Sequence, residues 1–192
     1  MSDKKRIGWA MCGSYCTYDR VFEEMEKLAA RYELVPIMSE TAAATDTRFG
    51  TAEEHLRRLV RITGRPVVTT VAGAEPLGPK EPMEALIIAP CTGNTLSKLA
   101  QGITDSAVTM AAKAHLRNGK PLVLAFSTND GLSGSAAAIA ALLNRKNVYF
   151  VPFRQDDPAK KPRSLQSDFA LLEETLLSAL RGEQLQPLLA ER

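Results

Sequence analysis

The sequence predicts an α/β fold, a three-layer sandwich in which a Rossmann-like parallel sheet of about six strands carries helices on both faces. Two observations predict it. Short, continuously apolar runs, such as "ALIIAP" at 85–90 and "PLVLAFS" at 121–127, have the character of strands buried on both sides, as in a covered parallel sheet. These runs alternate with helical patterns, and strands separated by helices are joined by crossovers that pack the helices back on the sheet.

Residues 6–12, "RIGWAMC", read as the first strand; a Gly-Ser turn follows, and Val21, Met25, Leu28 and Ala29 then recur at helical spacing. "YELVPIMS" is the second strand. "TAEEHLRRLVRI" is the next helix, with Leu56, Leu59 and Val60 on one face and Arg57, Arg58, Arg61 and His55 on an Arg-rich surface. "RPVVTTV" reads as a third strand, "ALIIAP" as a fourth, "PLVLAFS" as a fifth and "NVYFVPF" as a sixth. Helical patterns cover 95–118 and 134–143, and a final amphipathic helix is expected from about 164 to 181. No repeat or Pro/Gly/Ser-rich linker divides the chain, so one domain over 1–192 is expected. The polar, proline-rich stretches at 72–82 and 153–163 are candidate lids, subunit contacts or plain connectors.

Composition narrows the function. Net charge is +2 and the charged residues are dispersed, which argues against nucleic acid. The N-terminal apolar stretch is short and broken by Gly8 and Gly13, and no apolar run approaches a membrane span. A soluble, cytoplasmic protein is expected. Cys12, Cys16 and Cys91, with only His55 and His115 beside them, make no convincing metal-ligand set, so no metal is expected. Buried thiols are the default reading, and Cys91 is taken as a packing residue with no His to activate it.

The chemistry is expected beyond the carboxyl ends of the strands, near the switch in strand order. Four of those ends are rich in small polar residues: "CGSYCT", "MSETAAATD", "PCTGNT" and "STNDG". Gly13 and Ser14, entering a helix, suit a phosphate held by backbone N–H groups and a hydroxyl. Neither G-x-G-x-x-G nor a P-loop is present. In "PCTGNT", Pro90 ends a strand, Thr92 is an N-cap and Gly93 allows close backbone approach. None of these roles requires Asn94. Its amide both donates and accepts, suiting a flat heterocycle or a carboxylate, and Asn129 repeats that logic. Lys98 is expected to cap or brace its helix, and Asp105 to cap the next.

"APCTGNTLSKLAQGITD", residues 89–105, resembles the A-P-[AS]-[ST]-A-N-T-x-x-K-x-A-x-G-x-x-D signature of the homo-oligomeric flavin-containing cysteine decarboxylase family, matching at Pro90, Thr92, Asn94, Thr95, Lys98, Gly102 and Asp105. The resemblance implies FMN as cofactor, held by Gly13, Ser14, Ser39 and Thr41, with Thr92, Gly93 and Asn94 lining the flavin's other side. It also implies a homo-oligomer, a trimer or larger. The chain departs from the decarboxylases after the fifth strand. There "FSTNDGL" keeps Asn129 but not the P-x-M-N-x-x-M pattern, and residues 66–84 lack the active-site His.

A second resemblance runs through "IGWAMCGSYCTY" and "NRKNVYFVPFRQDDPAKKPRSL". These are similar to the flavoprotein B subunits of the dipicolinate synthases of endospore-forming bacteria. That resemblance implies a flavin-dependent oxidoreductase subunit in the cytoplasm of the mother cell. With a separate A subunit that carries NAD(P), it would form pyridine-2,6-dicarboxylate from a cyclic dihydro- or hydroxytetrahydrodipicolinate. Asn94, Thr128 and Asn129 would then be the catalytic residues at the substrate's edges, with Arg154, Lys160 and Lys161 as candidate cations. The alternatives are a decarboxylase or flavin prenyltransferase of the same fold, or a non-catalytic partner of the A subunit.

Overall fold

The computed structural model describes residues 4–190; the limits of the expected domain at residues 1 and 192 lie outside them. In chain order the elements are β1 (Arg6–Met11), α1 (Tyr18–Arg31), β2 (Glu33–Met38), α2 (Glu40–Ala43), α3 (Ala52–Thr63), α4 (Val71–Ala74), β3 (Ala85–Cys91), α5 (Gly93–Gln101) and α6 (Ala107–Leu116). There follow β4 (Leu122–Thr128), α7 (Ala136–Leu143), β5 (Val148–Phe150), β6 (Phe153–Arg154), β7 (Leu165–Ser167) and α8 (Leu172–Leu180).

The sheet is mixed and has seven strands. β2, β1, β3, β4 and β5 run parallel, and the short β7 and β6 continue from the end of β4 in antiparallel pairing. Strand order turns between β1 and β3. The pleat divides each strand between two cores. Ile7, Trp9, Met11, Ile87 and Val123 pack with α1, α3 and α8, while Ala10, Leu86, Ile88, Leu124 and Phe126 pack with α4, α5, α6 and α7. Strands buried on both faces explain why "ALIIAP" is apolar throughout instead of alternating.

The expected three layers are present; four details differ. "RPVVTTV" forms one bridge, Val68 to Ile37, because Pro66 offers no N–H and Thr70 caps α4 by accepting from Gly73 N at 3.0 Å. The pattern at 95–118 is two helices. Gly102 ends α5 at φ 73°, a left-handed backbone suited to glycine, and Ser106 starts α6 in a reciprocal capping box with Thr109. "NVYFVPF" splits at Pro152 into β5 and β6. The expected last helix starts late, because Leu165–Ser167 pairs with the overhanging end of β4, and Ser167 accepts the Phe126 N–H at 2.9 Å.

Candidate functional site

The loops after β1, β2, β3 and β4 meet on one rim, at the carboxyl ends of four adjacent parallel strands and beside the switch in strand order. Explicit bonds join them. Ser39 N donates to Met11 O at 3.0 Å, Cys12 N to Pro90 O at 3.2 Å, and the Ser14 hydroxyl to Ser127 O at 2.8 Å. Gly13 lies against Thr92, whose Cγ2 would sit 3.3 Å from an added Cβ.

The sequence-predicted residues of the loops after β1, β2, β3 and β4 sit on this rim. Ser14 is half-buried with φ 66°, rare for a residue with a side chain. Ser39 caps α2 by accepting from Ala42 N at 3.3 Å, which leaves its own proton to give. Thr41 is exposed in the first turn of α2. Its neighbour Glu40 reaches across to accept the Ala107 N–H at 3.1 Å, fixing the β2 loop to the start of α6. Thr92 caps α5, accepting from Thr95 N at 3.2 Å and donating to the Thr95 hydroxyl at 3.0 Å; that hydroxyl in turn donates a hydrogen bond to Cys12 Sγ at 3.2 Å. The expected cap is therefore present, with the Thr92 proton already committed. Asn94 and Asn129 are exposed, and among the described residues neither side chain has a hydrogen-bond partner.

Gly93 is where two loops touch. A Cβ there would run into Ser135 Oγ and lie 2.8 Å from Thr128 Oγ1 and 3.0 Å from Asp130 Oδ1. Thr128 donates to Asp130, and Ser135 donates to the same carboxylate at 2.7 Å. Those bonds, Thr128's first, hold the Asp130 carboxyl below the usual carboxylate range. Asp130 and Ser135 were not singled out from the sequence. Their signal is weak, a carboxylate two residues after Thr128 and five before Ser135. Gln166 of β7 was also missed. It donates to Ser127 Oγ at 3.0 Å and accepts from Arg20 at 2.9 Å, which closes the rim's outer end.

Other expectations shift. Asp105 does not cap α6; its carboxylate takes Lys98 Nζ at 2.8 Å, which holds it below its ordinary range, and Ser106 is the cap. Lys98 thus braces the turn between α5 and α6. His55 is not on the arginine surface but is 6% exposed, edge-on to Tyr18 at 4.7 Å, because Ala52, His55 and Leu59 form the inward stripe of α3. His115 is buried with Nε2 2.9 Å from Pro121 O. Cys91 is fully buried, and burial raises its thiol well above the ordinary value. Lys161 of the late loop pairs with Asp156 at 3.0 Å, while Arg154 borders a polar cleft of about 240 Å³ with Arg20, Gln166 and Asp168. Among the described residues no group of His, Cys, Asp or Glu is placed to hold a metal ion, and no helix is long and apolar enough to cross a membrane.

The family model described as Flavoprotein matches residues 1–151. The chain is 45% identical over 188 residues to the B subunit of dipicolinate synthase from Bacillus subtilis, covering 97% of this chain and 94% of that one. It is also similar to the crystal structure of the dipicolinate synthase B subunit from Bacillus halodurans, at 46% identity and a TM-score of 0.90, over 98% of this chain and 97% of that one. The FMN-dependent cysteine decarboxylase SpaF shares the fold, at 21% identity and a TM-score of 0.67, over 91% of this chain and 97% of that one.

Proposed function

The chain belongs to the Flavoprotein family, and we propose that it is the flavin-carrying B subunit of a dipicolinate synthase. In this reading it is a cytoplasmic oxidoreductase subunit of a sporulating cell's mother compartment, folded as one domain. It works with an A subunit that supplies NAD(P), and it assembles with copies of itself as a trimer or larger. The observation that carries the reading is the single rim at the switch point, where four polar loops meet and Gly93 is pressed bare against Thr128 and Ser135.

The residues fit FMN on that observation. The backbone is bare at Gly13 and Gly93, where a Cβ would fill the space between loops, and two unpartnered amides open beside it. In this reading backbone N–H groups after Gly13 and Ser14 hold the phosphate, Ser39 and Thr41 give hydroxyls, and Thr92, Gly93 and Asn94 line the ring. When bound, FMN supplies a hydride acceptor for the desaturation of the substrate ring. The chain's own contribution is orientation. Asn94, Thr128 and Asn129 hold the edges of a cyclic dicarboxylate, and the ionised Asp130 fixes the Thr128 hydroxyl. The nearby thiols of Cys12 and Cys91 are buried with raised pKa, which keeps them protonated and leaves them to packing.

The test is an absorbance spectrum of the protein after addition of FMN and desalting, beside an Asn94→Ala, Ser14→Ala double variant. A flavin band kept by the parent and lost by the variant supports the site and leads to a redox assay with the A subunit. No band in either protein, with the partner present, overturns the flavin reading in favour of a structural partner.

A further inference from the structure

Thr128, Asp130 and Ser135 form a hydroxyl–carboxylate cluster on the rim, and its bonding has a direction. Thr128 and Ser135 both donate to Asp130 Oδ1, the second at 2.7 Å. An ionised carboxylate only accepts, and a hydroxyl owns one proton. Both protons are therefore spent. Thr128 Oγ1 also accepts the Asp130 backbone N–H at 3.4 Å, leaving one lone pair. Ser135 is 2% exposed, whereas Thr128 is half-exposed at the point where Gly93 opens the rim.

We propose that Asp130 is a positioning residue that makes the Thr128 hydroxyl a pure acceptor, so that this wall of the site takes a ligand edge bearing N–H or O–H. The inference rests on the substrate reading above. A hydroxylated or N–H-bearing ring offers such a donor to the wall. The aromatic product has only an acceptor nitrogen, which faces a lone pair and an anion. The wall thus favours the hydroxylated or N–H-bearing ring over the aromatic product and helps expel the product.

The test is calorimetric binding, in metal-free buffer with FMN and the A subunit present, of two stable probes. 4-Hydroxypyridine-2,6-dicarboxylate carries an O–H or, in its pyridone tautomer, an N–H; pyridine-2,6-dicarboxylate carries neither, and both are planar dianions at neutral pH. The parent protein is expected to prefer the first by about tenfold, the worth of roughly one hydrogen bond. Asp130→Asn, whose amide can donate to Thr128, and Thr128→Val are each expected to lose that preference without a large fall in melting temperature. Thr128→Ser restores it. An unchanged preference in Asp130→Asn and Thr128→Val makes the cluster a brace and overturns the inference. Equal binding of both probes by the parent overturns this inference alone, and binding of neither overturns the substrate reading with it.

Discussion

The Ser14 hydroxyl donates to the Ser127 carbonyl over 2.8 Å and ties the loop after β1 to the end of β4, across 113 residues of sequence. The proton that sequence reasoning assigns to a ligand is engaged within the protein. Ser14→Ala is expected to lower stability by about 1 kcal/mol, the net worth of a hydrogen bond, and to weaken flavin retention as the β1 loop loosens. Chemical denaturation and the absorbance of the desalted protein measure the two effects.

Gly93→Ala drives a methyl into Ser135 Oγ and places it 2.8 Å from Thr128 Oγ1. Ser135 is buried and bonded to Asp130, so it has nowhere to move. Overpacking of this kind costs about 1–3 kcal/mol, and the two loops must part. The expected result is a folded protein of lower melting temperature that keeps no flavin after desalting.

The three cysteines are expected to divide by burial. Burial pushes the Cys12 thiol up to about 11 and that of Cys91 well above its ordinary value, whereas Cys16 is exposed. A thiol reacts as its thiolate. Iodoacetamide at neutral pH should label Cys16 alone, as read by mass spectrometry of peptides, with Cys12 and Cys91 labelled only after denaturation. Early labelling of Cys12 would show that the β1 loop opens.

His115 should make the protein acid-sensitive. Desolvation lowers its pKa below the ordinary 6.5, and its Nδ1 is buried without a partner. The unfolded chain takes up the proton as pH falls through 6.5, and the folded chain only at lower pH. Protons therefore accumulate on the unfolded state, and stability is lost downward from about 6.5 until the folded-state value is passed. The slope of melting temperature between about pH 7 and pH 5 should be shallower in His115→Gln than in the parent.

Phe126 is fully buried, 4.9 Å from Phe153 and 5.8 Å from Phe150 by ring centroids. Phe126→Ala is expected to cost about 3–5 kcal/mol in denaturant unfolding, as large-to-small core changes do. The loss should reach the site too, because Phe126 directly precedes Ser127 and Thr128 on β4.

The layered fold was legible because strands buried on both faces need unbroken apolar runs. "ALIIAP" and "PLVLAFS" supply them wherever the rest of the chain lies. Thr92, Gly93 and Asn94 were legible for a related reason, since a cap and a bare backbone position are local features of a few consecutive residues. The inward turn of His55 was readable as well, from its spacing with Ala52 and Leu59, yet the neighbouring arginines masked it.

What the sequence alone determined, then, is the alternation of buried strands with helices and the polar character of four loops, because propensity, capping and apolar runs act within a few residues. Tertiary structure alone decided that 165–167 joins the sheet as β7, beside the end of β4. It also decided that the Ser14 hydroxyl is spent on the Ser127 carbonyl. Strand pairing depends on which edge is free, and the fate of a hydroxyl proton on which acceptor faces it; in both cases the partner lies far away in the chain.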